Sequence, residues 1–231
     1  MQTLKVLSAL LTYTTAELQD AVPDIETVIE NDLLLPRAVR QQLDVLLEEL
    51  ATLDLLDLQE RYVLLFDRTR SLSLHLFEHV HGESRDRGQA MIDLKNMYEQ
   101  NGLFMNQAEL PDFLPMFLEF LATRPPVEAA HLLGQPAHIL AALAERLAQR
   151  RSPYEAVFRA LVAFASAAPD AREVTAVLDE PDPDPADLAA LDAAWEDEPV
   201  TFGPSADGCK DRLVARMRAA RRPAPASAVE A

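Results

Sequence analysis

Histidine and glutamate side chains are concentrated between residues 75 and 83, where the sequence reads HLFEHVHGE. His75 and His79 are four residues apart, so on an α-helix both lie on one face and can ligate Zn²⁺. Because Glu78 precedes the second histidine, the string matches the inverted metalloprotease motif His-x-x-Glu-His, in which the glutamate activates a metal-bound water. One interpretation is therefore a zinc-dependent hydrolase.

The alternative to a metal site is a helix end, where histidines interact favourably with the negative pole of the helix dipole. The zinc motif has only three fixed positions, so chance matches are frequent, and the sequence identifies no third ligand. We therefore favour the helix end over a metal site.

A second segment with chemical potential is Glu109-Leu-Pro111-Asp112, which stands before an apolar stretch containing Pro115. Pro111 fits the first turn of a helix without loss of a hydrogen bond, and the dipole stabilises Asp112 there. A carboxylate at the lip of an apolar helix is well placed to bind an arginine through two hydrogen bonds.

Helices are predicted to position these groups, because apolar residues recur at spacings of three and four before residue 169. Alternating strand-like runs bounded by Asn-Gly turns are missing from the sequence. We therefore predict an all-α protein with a single compact helical bundle over residues 1–168. Gly88 falls inside one helix, where it costs about 1 kcal/mol relative to alanine, so we expect another backbone to approach it closely. The predicted helices are one opened by Pro36, one opened by Asp54 or Asp57, then 72–80, Ser84 to Gly102, Pro111–Ala122, Pro126–Leu133, Ala137–Arg150 and Pro153–Ala167.

Charge and composition exclude several functions. The 231 residues include 38 acidic and 21 basic side chains, a formal net charge of −17, which disfavours nucleic-acid binding and favours a basic partner. The chain has no glycine-rich phosphate loop and no Gly-x-Ser-x-Gly motif, and its one cysteine, Cys209, permits no disulfide. The longest stretch without charged residues, 129–144, is too short to span a membrane, and we recognise no signal peptide. We expect a cytoplasmic protein without stable membrane association.

The composition changes near residue 169. The last 63 residues contain 8 of the 16 prolines, and residues 170–198 carry eleven acidic side chains with one basic side chain. Residues 210–222 reverse this sign with six basic side chains. Such proline-containing charge blocks are typical of a solvated tail, so we predict a flexible tail over 169–231, compatible with short helices.

Two runs of residues resemble a known family. Glu60-Arg-Tyr62-Val-Leu-Leu-Phe66 resembles the Glu-x-Tyr-x-x-Leu-Phe motif of redox-enzyme maturation chaperones. The run 76–91, LFEHVHGESRDRGQAM, is similar to the signature block of the NarJ branch, the molybdenum-cofactor assembly chaperones of respiratory nitrate reductase. The similarity covers about residues 4–165, is strongest over 58–121, and places Phe113 where the wider family commonly has histidine.

This resemblance implies an all-helical chaperone that catalyses no reaction and holds no cofactor or metal of its own. Its partner would be the apo catalytic (alpha) subunit of nitrate reductase, recognised through an N-terminal twin-arginine-like segment. The chaperone would keep that subunit competent for molybdenum-cofactor and iron–sulfur insertion before membrane docking. The expected partner-binding residues are Glu60, Tyr62, Phe66, Asp67, Glu78, His79, Glu83, Arg87 and Asp112.

The expected residues divide by chemistry. The carboxylates would bind the arginines, with Glu83 and Asp112 as the favoured pair, and His79 would tune binding with pH. Tyr62 and Phe66 would line or support an apolar groove, although apolar residues at helical spacing belong to a core more often than to a binding surface.

Overall fold

The structure, a computed structural model, describes residues 1–32, 34–80, 85–105, 109–184 and 186–187, without the side chains at positions 85 and 86. These residues form eleven α-helices and no β-strand, which confirms the all-α prediction. The helices are α1 (Gln2–Leu10), α2 (Ala16–Asp20), α3 (Val22–Asn31), α4 (Arg37–Thr52), α5 (Leu55–Tyr62), α6 (Arg85–Gln100), α7 (Leu114–Ala122), α8 (Pro126–Leu133), α9 (Ala137–Gln149), α10 (Glu155–Phe164) and α11 (Ala171–Leu178).

One apolar core joins helices from both halves of the chain. α1 packs against α7, and α10 packs against both α9 and α4. Leu7, Leu118 and Phe158 are fully buried where these helices meet. In α4 the spacing of three and four places the apolar side chains on one face, and the buried residues are Leu43, Leu46, Leu47 and Leu50.

The helix predicted over residues 72–80 is wrong. After α5 the chain continues through a π-helical turn, Val63–Asp67, and then makes two short 3₁₀ turns, Arg70–Leu72 and Leu76–His79. His75 stands between the two 3₁₀ turns in an extended conformation. The two histidines of the zinc motif therefore do not share one face of a continuous helix.

Backbone hydrogen bonds to a distant segment explain this departure. The N–H of Leu76 donates to the carbonyl of Asp112 at 3.1 Å, and the N–H of Leu114 donates to the carbonyl of Leu74 at 2.8 Å. These bonds satisfy backbone groups that a helix would pair internally, so pairing with a distant part of the chain overrides the local apolar spacing.

α6 agrees with its predicted bounds at the C-terminal end. Gly102 has a φ of 82°, a left-handed conformation that glycine adopts without strain just past a helix end. The predicted N-cap, Ser84, lies outside the described residues. At Gly88 an added Cβ would meet no heavy atom within 4 Å, so the predicted close approach of another backbone is wrong.

The packed part of the chain continues beyond the boundary predicted at residue 168. Residues 171–178 form α11, which packs against α9. Asp170 caps this helix by accepting a hydrogen bond from the N–H of Arg172 at 2.8 Å, and Val177 is buried. Part of the acidic segment therefore serves as a helix cap and docking face. The tail residues 188–231, with Cys209, lie outside the described residues.

Candidate functional site

Asp112 holds residues 73–79, here called the motif segment, against the start of α7. Its side chain has no exposed surface. Oδ2 accepts a hydrogen bond from the backbone N–H of Phe77 at 3.1 Å, and Oδ1 lies 3.3 Å from Nδ1 of His75. The sequence predicts Asp112 at the lip of an apolar helix; in the structure it precedes α7, and both of its oxygens have internal partners. Asp112 instead fixes the path of the motif segment.

The two histidines of the zinc motif have different partners. His75 stacks against Phe113, with ring centroids 5.3 Å apart, while Nε2 of the buried His79 donates to the carbonyl of Ser73 at 2.7 Å. Among the residues that the structure describes, no group of three or more His, Cys, Asp or Glu side chains has the arrangement of a metal site. The zinc hydrolase interpretation is therefore not supported.

The surroundings shift the pKa values of these histidines in opposite directions. The hydrogen bond with Asp112 raises the pKa of His75 above its ordinary value of 6.5. Burial lowers the pKa of His79 below the same value, because the charged ring cannot be solvated there. Near neutral pH the ring of His75 is therefore protonated more readily than the buried ring of His79.

Charged side chains surround His75 at the protein surface. Oε1 of Glu78 lies 3.6 Å from Nη2 of Arg87, and both side chains remain about one-fifth exposed. Asp67 is exposed at the end of the π-helical turn, and partial burial raises its pKa while the nearby His75 opposes that rise. We call Asp67, His75, Glu78 and Arg87 the motif surface.

Tyr62 and Phe66 belong to the core. Each is only 4% exposed. The hydroxyl of Tyr62 donates to the carbonyl of Leu11 at 3.0 Å, and burial raises the pKa of that hydroxyl. The ring of Phe66 meets Tyr154 edge to face with centroids 5.1 Å apart. These two residues therefore support the π-helical turn from inside and do not line an open groove.

The remaining two predicted site residues have different outcomes. Glu60 is exposed on α5, one turn before the π-helical turn. Glu83 lies outside the described residues.

Sequence reasoning missed the apolar side chains that are exposed along α6 and the chain after it. Ile92, Phe104 and Leu110 are 54%, 78% and 46% exposed. The one local signal was that Ile92 falls outside the buried stripe of Leu94 and Tyr98. Single exposed apolar residues are common, so the sequence alone offers little reason to single these out.

Two contacts place α6 beside the motif surface. At its start, Arg87 pairs with Glu78. Near its end, the buried hydroxyl of Tyr98 donates to the carbonyl of Pro111 at 2.8 Å, and Pro111 directly precedes Asp112. Both ends of α6 are therefore joined to the segments that form the site, while Ile92, the one exposed large apolar side chain of α6 in the described part of the chain, lies on the helix face opposite the buried Ala90 and Leu94.

Comparisons with known proteins agree on one family. The model of the family described as nitrate reductase delta subunit matches residues 32–160. The chain is 46% identical to the nitrate reductase molybdenum cofactor assembly chaperone NarJ of Escherichia coli (strain K12), over 91% of this chain and 89% of that protein. It is 41% identical to the probable assembly chaperone NarW of the same strain, over 87% and 84% of the two chains. For the probable NarJ of Bacillus subtilis (strain 168) the identity is 32%, over 70% and 86%.

Proposed function

The chain belongs to the nitrate reductase delta subunit family, and on that premise we propose that it is a maturation chaperone for a respiratory nitrate reductase. Its client is the apo catalytic (alpha) subunit, which it keeps competent for insertion of the molybdenum cofactor and iron–sulfur clusters before membrane docking. The relatives that cover most of its length are named as molybdenum cofactor assembly chaperones, which supports this role. In this role the protein binds its client and catalyses no reaction.

The client segment in this proposal is the N-terminal twin-arginine-like segment, bound at the motif surface. Arginine pairs with carboxylates through two parallel N–H donors, and Asp67 and Glu78 present carboxylates at this surface. The net charge of −17 attracts a cationic segment over a distance and speeds its encounter. The observation that carries the proposal is that Asp67 and Glu78 keep exposed carboxylate surface at the motif surface of a strongly acidic chain, which suits a basic segment.

The site residues have distinct roles in this proposal. Asp67 and Glu78 bind the arginines, and Arg87 occupies Glu78 until a client arginine replaces it. Asp112 keeps the motif segment in place through its buried contacts with Phe77 and His75. Glu60 and Glu83 remain predicted contributors to client binding.

The proposal is tested by calorimetric titration with a synthetic peptide that copies the N-terminal segment of the catalytic subunit. Glu78→Gln should weaken binding about tenfold, the usual effect of losing one charge-assisted hydrogen bond. The matched control is Glu128→Gln, which neutralises an exposed carboxylate on α8 and should leave the affinity unchanged.

A peptide in which arginine is replaced by glutamine sharpens the test. If Glu78 binds arginine, Glu78→Gln should weaken the arginine peptide and leave the glutamine peptide almost unaffected. Equal losses for both peptides would remove Glu78 from the arginine site. Failure of the full-length protein to co-purify with the apo catalytic subunit would contradict the chaperone role itself.

We place the protein in the cytoplasm, without nucleic-acid partners and without stable membrane association. In the described part of the chain, no helix combines the length and the apolar character needed to cross a membrane. Cell fractionation of the tagged protein tests this location, and recovery in the washed membrane fraction without the reductase would contradict it.

A further inference from the structure

Arg146 of α9 is a buried cation that joins two segments distant in sequence. It is only 2% exposed. Nη1 donates to the carbonyl of Ser71 at 2.7 Å, and Nη2 donates to the carbonyls of Val177 and Glu180 at 2.8 and 2.9 Å. One guanidinium therefore holds both the C-terminal end of α11 and the 3₁₀ turn that precedes the motif segment.

Further contacts attach α11 to α9 and to Arg150, the residue that follows α9. At its first turn, Glu173 lies 3.6 Å from the ring of His138, and both side chains are about nine-tenths buried. Beyond its last turn, Asp182 pairs with Arg150 at 2.5 Å. Between these contacts, the apolar side chain of Val177 is 5% exposed. A contact with His138 at the first turn, an ion pair with Arg150 beyond the last turn and a buried apolar residue between them thus hold α11 in place.

Ser71 is connected to the motif segment over a short path. The hydroxyls of Ser71 and Thr69 lie 3.0 Å apart, and the N–H of Ser73 donates to the carbonyl of Arg70 at 3.1 Å. The carbonyl of Ser73 in turn accepts the hydrogen bond from His79. A shift of the first 3₁₀ turn therefore moves the residues that hold the second 3₁₀ turn, on which Glu78 lies.

We propose that the docking of α11 on α9 and the conformation of the motif surface are coupled through Arg146. Release of α11 takes away two of the three carbonyls that orient the guanidinium, and the Ser71 contact weakens with them. The motif segment then loses an anchor additional to Asp112. Arg146 acts as a positioning residue, since it reaches the motif surface only through Ser71.

Arginine suits this task for a physical reason. Its planar guanidinium has donors in fixed directions and can serve several carbonyls at once, whereas the ammonium of lysine is a compact point charge. Coupling between two sites is also reciprocal, so a ligand that stabilises the motif surface must stabilise docked α11 by the same free energy. This last consequence rests on the proposed function, because it requires a client segment that binds there.

Amide hydrogen exchange of the full-length chain tests the coupling without any client. Val177→Asp should release α11 and thereby weaken the hydrogen bond from Arg146 to Ser71. The exchange rates of the Leu76 and Phe77 amides should then rise about tenfold, as expected for the loss of one charged hydrogen bond. The matched control is Ala176→Asp, which adds the same charge on the exposed side of α11 and should leave these amides unchanged. The amide of Leu118 in α7 serves as reference, since its rate rises only if the whole core opens.

Arg146→Lys separates coupling from general loosening. If Arg146 transmits the change, Val177→Asp should have almost no additional effect on the Leu76 and Phe77 amides in an Arg146→Lys background. Independent, additive effects of the two substitutions would overturn the inference. So would unchanged exchange of both amides in Val177→Asp while the α11 amides exchange freely.

A final arm adds the client peptide to the unmodified protein. The inference expects slower exchange of the α11 amides when the peptide is bound, and weaker peptide binding by Val177→Asp than by Ala176→Asp. A peptide that binds normally without protecting α11 would overturn the coupling and leave the chaperone role intact. A peptide that does not bind would contradict the proposed client site, and the exchange experiment without client would still decide the coupling.

Discussion

Replacing Asp112 by alanine should lower the free energy of unfolding by about 2–3 kcal/mol. The bond from the Phe77 N–H to Oδ2 is a buried hydrogen bond to a carboxylate, a class that contributes about 1.5–3 kcal/mol. The contact with His75 adds less than about 1 kcal/mol, because that ring is 28% exposed and solvent screens the pair. The alanine variant also leaves the Phe77 N–H buried without an acceptor.

Urea denaturation followed by circular dichroism measures this loss. With a urea dependence of about 2 kcal/mol/M, a loss of 2–3 kcal/mol moves the midpoint down by about 1 M or slightly more. Asp112→Asn keeps an acceptor for Phe77 but removes its charge, so it should lose about half as much. Asp44→Asn, at an exposed position of α4, is the control and should change stability by less than about 0.5 kcal/mol.

Two results would refute the assignment of Asp112 as an internal clamp. The first is a loss below about 0.5 kcal/mol for Asp112→Ala, the range expected of an exposed residue. The second is a variant Asp112→Asn that keeps full stability but no longer distinguishes an arginine peptide from its glutamine counterpart. That outcome would mean that Asp112 contacts the client directly.

Three further predictions concern stability and pH. Gly88→Ala should stabilise the protein by about 0.5–1 kcal/mol, because its Cβ meets open space in a helix, whereas Gly102→Ala should cost about 1 kcal/mol at a φ of 82°. In an NMR titration at pH 6.5, His75 should be more than half protonated and His79 less than half. Tyr62→Phe should cost about 1–2 kcal/mol, since a buried carbonyl loses its donor.

The sign of the pH effect follows from the two shifts. The stabilisation from His75, whose pKa is raised, is complete below pH 6.5 and is lost as the pH rises through its folded-state pKa. His79, whose pKa is lowered, costs stability as the pH falls below 6.5. Equal titration midpoints for the two rings would contradict this pH dependence.

The glycine prediction would be contradicted by equal unfolding midpoints for the two glycine variants. The Tyr62 prediction would be contradicted by an unchanged unfolding midpoint for Tyr62→Phe.

Several features were predictable because they depend on neighbours along the chain. The leucines of α4 repeat at helical spacing, and Gly102 ends α6 because glycine adopts a positive φ without strain. The family resemblance also rests on local runs of residues, and the comparisons confirm it. These signals require no knowledge of the tertiary structure.

The motif segment was not predictable in the same way. Its residues have helical apolar spacing, yet Leu74 and Leu76 pair with the backbone around Asp112. α11 was not predicted as a packed helix, for a related reason. Its acidic, proline-flanked composition is typical of a tail. Arg146 of α9 and Arg150, just after that helix, provide partners for carbonyls at the C-terminal end of α11 and for the carboxylate that follows it.

By itself, then, the amino-acid order determined the helical class, most helix bounds, the acidic character and the family. Only the tertiary structure decided which polar side chains of the motif are internal and which reach solvent. Asp112 and His79 are buried with internal partners, while Asp67 and Glu78 keep exposed surface. The physical reason is that a carboxylate or an imidazole is satisfied equally by water or by a donor or acceptor inside the protein, and the distant segments that supply such partners are brought near only when the chain folds.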